Sequence, residues 1–402
     1  MKHRLMALAL TGWLAPILAC AAPASIKQAP PPPPYAGVYQ PHGVDEIGLW
    51  HDDDEDERRL AGSPLVIRDE ALNHYLKDLL CRTVGTDRCQ AARIYVLRTP
   101  VFNASMSPNG TMRVFTGLLL RMHSEAELAA ILGHEFGHFE RRHTLSRFKA
   151  NRSGTDLLSW AAVLTAMAGS YQAYSNFDDL QTSVYGGLYH YQRDNEREAD
   201  LLGLGYLNAS ALPPQAAARV WQNAMAEAEA SAVVRGLRKP RFDAVAFTAS
   251  HPPDAERAAY LGALASPEGA SRDAGEERYA AAMAPWLPQF LDDQIKLNDF
   301  GASEYIITSL AEGGWSACLW NARGDLYRLR GTQRDLVNAA AFYGDAVRLD
   351  PRLADAHRGL GLALVKTGRR EEGLAALRRY LMLKPNAPDA AMIGMLTMKE
   401  TP

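Results

Sequence analysis

An excess of positive charge is missing from this sequence. Its 43 lysines and arginines are balanced by 46 acidic residues, for a net charge of −3, and no basic patch stands out. Nucleic acid is therefore excluded as a partner. Long apolar runs are missing as well. The most apolar internal stretch, residues 156–169 (DLLSWAAVLTAMAG), has about fourteen residues, short of the ~20 needed to cross a bilayer. It is expected to form a buried helix or one lying against a membrane surface. Cysteine is scarce, with one each at positions 20, 81, 89 and 318, so no cysteine-rich scaffold or cysteine zinc site is built here. The acidic run at 52–57 lacks the glycine-turned loop of a calcium site and is read as surface coating.

The apolar fraction, 47% of 402 residues, suffices for two cores. The start is basic and then apolar through residues 5–19, followed by the small residues of CAAPAS. This pattern predicts a secretory signal over 1–24. Two processing routes stay open, cleavage after Ala21 or Ala24 and a lipoprotein signal ending in a lipid anchor at Cys20. An unbroken proline run at 30–34 marks residues 25–45 as an extended linker. In an oxidising compartment Cys81 and Cys89, which flank a short turn, are expected to pair, and Cys318 to be a buried thiol.

Residues 128–143 read LAAILGHEFGHFERRH. Leu128, Leu132, Phe136 and Phe139 recur at helical spacing, which predicts an amphipathic helix. His134 and His138, four apart, share a face and can offer nitrogens to one metal ion. Glu135 points beside that ion, where a general base must stand. Gly133 and Gly137 cost about 1 kcal/mol each against alanine, which predicts a second backbone packed closely on their side. His143 comes nine residues after His134, where the longer zinc motif needs ten and a turning glycine. In a continuing helix it points away, so it is read as a structural or surface residue.

The third ligand is sought at 192–201, QRDNEREADL. Glu196 and Asp200 are again four apart on one helix face. Glu196 can close a His, His, Glu site with one open position. Asp200 is placed to hold a ligand histidine by its other nitrogen. Glu198 projects roughly opposite Glu196, toward solvent or an arginine. Upstream, TMRVFT at 111–116 alternates like a half-exposed edge strand after a turn of Pro108, Asn109 and Gly110. Such an edge could bind an extended peptide, although a paired interior strand alternates in the same way.

HEFGH followed by NEREAD, with FNASMSPNGTMRVFTGLL at 102–119 before it and HPPDAER at 251–257 after it, resembles metallopeptidase family 48. This is the family of CAAX prenyl endopeptidases and the heat-shock protease HtpX, and the likeness is to its periplasmic branch of β-barrel assembly-enhancing proteases. The resemblance implies that His134, His138 and Glu196 bind one Zn2+, that Glu135 is the base, and that Asp200 supports the ligands. It also implies that His251 lies beside the metal, as an oxyanion stabiliser or as a resting fourth ligand. Arg257 would orient substrate or the active-site carboxylates.

The last part of the chain changes character. Trp320, Gly324, Tyr327, Ala339, Tyr343, Ala346 and Pro351 follow a tetratricopeptide pattern with three extra residues in its turn. Leu360, Gly361, Leu364, Gly373, Leu377, Tyr380 and Pro385 repeat it. Two repeats are few for a solenoid, so 270–318 are expected to add degenerate helices.

The expected fold is mainly α with a small β-sheet: a zincin-type HExxH domain over 46–265, then an α-solenoid over 266–402. The expected function is an exported zinc metalloendopeptidase of a Gram-negative periplasm, tethered to the outer membrane if Cys20 is lipidated. Its substrates would be unfolded or extended polypeptides, with an envelope protein bound by the repeats. The alternative is a chaperone, assembly factor or interaction scaffold with a regulatory zinc site. Glu135 argues against it, since a structural site needs no base.

Overall fold

The computed structural model describes residues 33–36, 39–168, 181, 192–243 and 254–398. The signal stretch and His251 lie outside them. Residues 33–402 form one compact unit, and the end of the proline stretch packs onto it. Tyr35 stacks on Phe136 with ring centres 6.0 Å apart, and the Tyr39 hydroxyl donates to Glu46.

Helix α1 (Gly43–Gly62) carries the acidic run. It is more than surface coating. Glu57 pairs with Arg93, and Asp54 accepts a hydrogen bond from the Asn109 side chain at 2.8 Å. Strand β1 (Val66–Ile67) leads to α2 (Glu70–Val84), whose first turn is capped by Asp69 accepting from the Leu72 amide. A one-turn α3 (Thr86–Cys89) brings Cys89 onto Cys81, and the two form the expected disulfide. Strands β2 (Arg93–Leu97), β3 (Ala104–Met106) and β4 (Thr111–Phe115) complete a four-stranded sheet in the order β1-β2-β4-β3. The β2–β4 pair is parallel, while β1–β2 and β3–β4 are antiparallel. The turn into β4 needs Gly110, whose φ of 91° places it where side chains are strained.

The sheet corrects one expectation. TMRVF is not an edge but an interior strand paired on both sides, and β3 is the edge beside it. Alternating burial marks a strand with two unlike faces and says nothing about which of its edges is paired.

Helix α4 (Thr116–Arg121) connects to α5 (Glu125–Glu140), the HEFGH helix, capped by Ser124 accepting from the Glu127 amide. Then come α6 (His143–Ala168), α7 over 192–209, α8 (Ala216–Val234) and α9 (Asp254–Leu264). The apolar part of α6 is not buried: Leu157, Trp160, Val163, Leu164 and Met167 are all at least half exposed. Among the described residues no helix is long and apolar enough to cross a membrane.

Helices α10 (Glu276–Met283), α11 (Leu287–Ile295) and α12 (Phe300–Leu310) occupy the region expected to hold degenerate helices. They pack on α5, α4 and α8 respectively, and one apolar core runs from Ile67 through Leu326. Two helical hairpins follow, α13 (Ala317–Arg330) with α14 (Gln333–Leu349) and α15 (Ala354–Lys366) with α16 (Arg370–Leu383), and then α17 (Ala390–Thr397). The extra residues of the first hairpin do not lengthen its turn, which is only Gly331 and Thr332. With 17 residues, α14 is three longer than the 14-residue α16.

Candidate metal centre

The inner face of α5 is set by the predicted stripe: Leu128, Leu132 and Phe136 are fully buried and Phe139 nearly so. Gly133 and Gly137 meet the expected close neighbour, which is α7. A Cβ on Gly133 would touch the Gly203 backbone at 3.4 Å, and one on Gly137 would touch the Ala199 carbonyl at 3.2 Å. Small residues on both helices thus let the two backbones approach, and that approach lets side chains from each reach a common point.

At that point His134, His138 and Glu196 converge, with one donor atom from each lying within 4.8 Å of the others. The two histidine Nε2 atoms are 3.1 Å apart. Glu196 oxygens stand 3.6 Å from His134 Nε2 and 3.5 Å from His138 Nε2. Ligand bonds of about 2.0–2.1 Å in a tetrahedron require donor separations of about 3.3 Å. These separations, taken to the two Glu196 oxygens, bracket that value, so the three residues would fit as ligands of a four-coordinate ion.

Asp200 lies one turn along α7 from Glu196. Its carboxylate is 2.8 Å from His134 Nδ1, accepts two bonds from the Arg257 guanidinium at 2.8 and 2.5 Å, and takes the Tyr260 hydroxyl. Arg257 is buried, 2% exposed, with its guanidinium 3.6 Å from the Trp221 ring centre and 3.9 Å from Glu196. The structure therefore places Arg257 on the carboxylates. Burial works to raise the Asp200 carboxyl, but His134 and Arg257 outweigh it and hold the group well below its ordinary range. Burial likewise opposes charge on His134, and Asp200 reverses that and raises the imidazole. His138 is held down, first by burial and then by the charge of His134.

Glu135 lines the same cleft, of about 470 Å³, as His134, His138 and Glu196. The edge strand β3 lines it through Ala104, Ser105 and Met106, and Trp221 and Arg257 line it as well. His251 falls outside the described residues.

His143 departs from its expected place. The helix does not continue: α5 ends at Glu140, Arg142 takes a left-handed φ of 57°, and α6 starts with His143 turned back inward. His143 is buried, and its Nδ1 lies 2.9 Å from His138 Nδ1. Glu198 faces Arg141 at 3.0 Å, as one of its two expected surroundings, but also stands 3.3 Å from His143 Nε2. Sequence spacing missed His143, Trp221 and Tyr260. The run of two arginines before His143 carried no signal of a helix break.

The pattern of peptidase family M48 matches residues 67–265. Residues 67–265 form an M48 metallopeptidase domain. Mitochondrial metalloendopeptidase OMA1 of Schizosaccharomyces pombe is 30% identical over 164 residues, covering 41% of this chain and 44% of the relative. The β-barrel assembly-enhancing protease of Escherichia coli is 26% identical over 165 residues, covering 40% and 34%. Metalloprotease YcaL of the same species is 27% identical over 168 residues, covering 41% and 59%. The matched part of the chain thus spans between a third and three fifths of these relatives.

Proposed function

We propose that this chain is an exported zinc metalloendopeptidase that hydrolyses peptide bonds in unfolded or misassembled envelope proteins. The observation that carries the reading is the His134, His138, Glu196 triangle, with Glu135 in the same cleft and an edge strand along it. When bound there, zinc supplies Lewis acidity and lowers the pKa of a water. Glu135 takes the proton of the attacking water and returns it to the departing amine. Asp200, itself fixed by Arg257 and Tyr260, holds His134 so that Nε2 faces the metal position. The open side of β3 offers backbone donors and acceptors to an extended substrate, which selects unfolded chains over folded ones.

Export is supported by the basic and apolar start of the sequence and by the Cys81–Cys89 disulfide, which suits an oxidising compartment. The name of the E. coli relative supports the envelope as the place of action. Residues 317–383 are read as tetratricopeptide-type hairpins that bind an envelope partner, and Cys20 as the point of any lipid tether. The test compares wild type with Glu135→Gln for zinc content and for cleavage of an unstructured protein. Wild type should cleave, and the variant should hold equal zinc and lose hydrolysis by about 10²-fold or more. Near wild-type turnover in the variant rejects the mechanism.

A further inference from the structure

We propose that His143, backed by Glu198, positions His138 as a metal ligand, so that the two histidine ligands are oriented by different devices. The inference rests on the metal-site reading above and adds to it two residues outside the ligand set.

The ring of His138 sets the constraint. Its Nε2 points into the triangle, 3.1 Å from His134 Nε2 and 3.5 Å from Glu196. To offer a lone pair there, a neutral imidazole must carry its proton on Nδ1. That proton needs an acceptor, because the ring is largely enclosed and an unmatched buried donor is costly. The atom in reach is His143 Nδ1, at 2.9 Å. Accepting on Nδ1 obliges a neutral His143 to carry its own proton on Nε2, and Nε2 faces a Glu198 oxygen at 3.3 Å. The other Glu198 oxygen is held by Arg141 Nε at 3.0 Å. Every donor then meets an acceptor in one consistent direction, from His138 to His143 to Glu198.

The backbone gives independent support. His143 can turn back only because Arg142 adopts φ 57°, a conformation that side-chain-bearing residues rarely keep unless their surroundings enforce it. The Arg142 amide donates to the Phe139 carbonyl at 3.1 Å, and its guanidinium lies 4.4 Å from the Tyr39 ring centre and 3.6 Å from Glu46. The break that aims His143 is thus anchored from the N-terminal segment. The two ligands differ in consequence. His134 meets a buried carboxylate directly, whereas His138 meets an imidazole whose carboxylate partner is 48% exposed.

The test is the zinc dissociation constant of the full chain at pH 7, measured by competition with a chromophoric chelator. It is run on wild type, His143→Ala, His143→Asn and Glu198→Ala, with folding checked by circular dichroism. Loss of an orienting partner should weaken zinc about 10- to 100-fold in His143→Ala. His143→Asn should recover most of the loss, since its Oδ1 replaces the Nδ1 acceptor, and Glu198→Ala should lose about 10-fold, the low end of that range. A dissociation constant for His143→Ala within about twofold of wild type would overturn the proposal, as would equal losses in the alanine and asparagine variants. If His143→Ala does not fold, Glu198→Ala decides, and unchanged affinity there overturns the relay. Wild type that takes up no zinc would reject the metal site itself, an outcome distinct from wild type and variants binding alike.

Discussion

The M48 domain and the last two hairpins are built on opposite plans. In the first, with the α1 helix that precedes it, a few polar side chains meet across long stretches of sequence: His134 with Asp200, Asp200 with Arg257, Arg93 with Glu57. In the second, neighbours in sequence pack on one another in small separate cores, one around Tyr343 and one around Leu377 and Tyr380. The Tyr343 ring sits against both Gly324 and Gly359, each too close for a Cβ. The difference is between a constellation, which fails when one member is lost, and a stack, which should fail locally.

The largest expected effect tests the constellation. Asp200→Ala leaves the Arg257 guanidinium buried without its partner, and breaking such a pair costs about 3–5 kcal/mol. Urea unfolding of the variant measures it, and a cost under about 1 kcal/mol would remove the ground for the comparison. Next comes the covalent link that staples the same half. The Cys81–Cys89 bridge has a sequence separation of 8, and the chain-entropy relation gives about 2.5 kcal/mol for a loop of that size. A double serine variant should lower the urea midpoint accordingly, and an unchanged midpoint would show the bridge to be idle.

A change in the stack should behave differently. Gly359→Ala drives a methyl against Tyr343, an overpacking cost of about 1–3 kcal/mol. Zinc affinity should not move. If it weakens together with stability, the two plans are coupled and the distinction fails. The last test concerns pH. Hydrogen bonds from Arg93 outweigh burial and hold the Glu57 carboxyl down to about 2 from an ordinary 4.5. Because the folded value is depressed, the stability it contributes is complete above pH 4.5 and is lost as pH falls toward about 2. Glu57→Gln should flatten that part of the urea midpoint against pH. A slope equal to wild type would show that other carboxyls carry the acid response.

Much of the candidate site was legible because it is written in helical spacing. His134 with His138, and Glu196 with Asp200, share faces that geometry fixes once the helices form. Gly133 and Gly137 likewise announced a close neighbour, though not that it would be the helix carrying Glu196. The Cys81–Cys89 pair followed from a short turn. The place of His143 was not legible, because four-residue spacing holds only within an unbroken helix and the break at Arg142 is held by Tyr39 and Glu46, about a hundred residues away in sequence.

What the sequence determined by itself, then, is the content of each helix face: which residues point together, which stripe is apolar, and where four-residue spacing lines up donors. The tertiary structure decided which faces meet. It put β4 inside the sheet and left β3 as the edge on the cleft. It joined α10, α11 and α12 to the core of the M48 domain rather than to the hairpins alone, and it left the apolar row of α6 exposed. The physical reason is range. Periodicity records forces within a turn or two of the chain, whereas strand order, a reversed residue at a helix end and the partner of an apolar face depend on contacts whose two halves lie far apart in sequence.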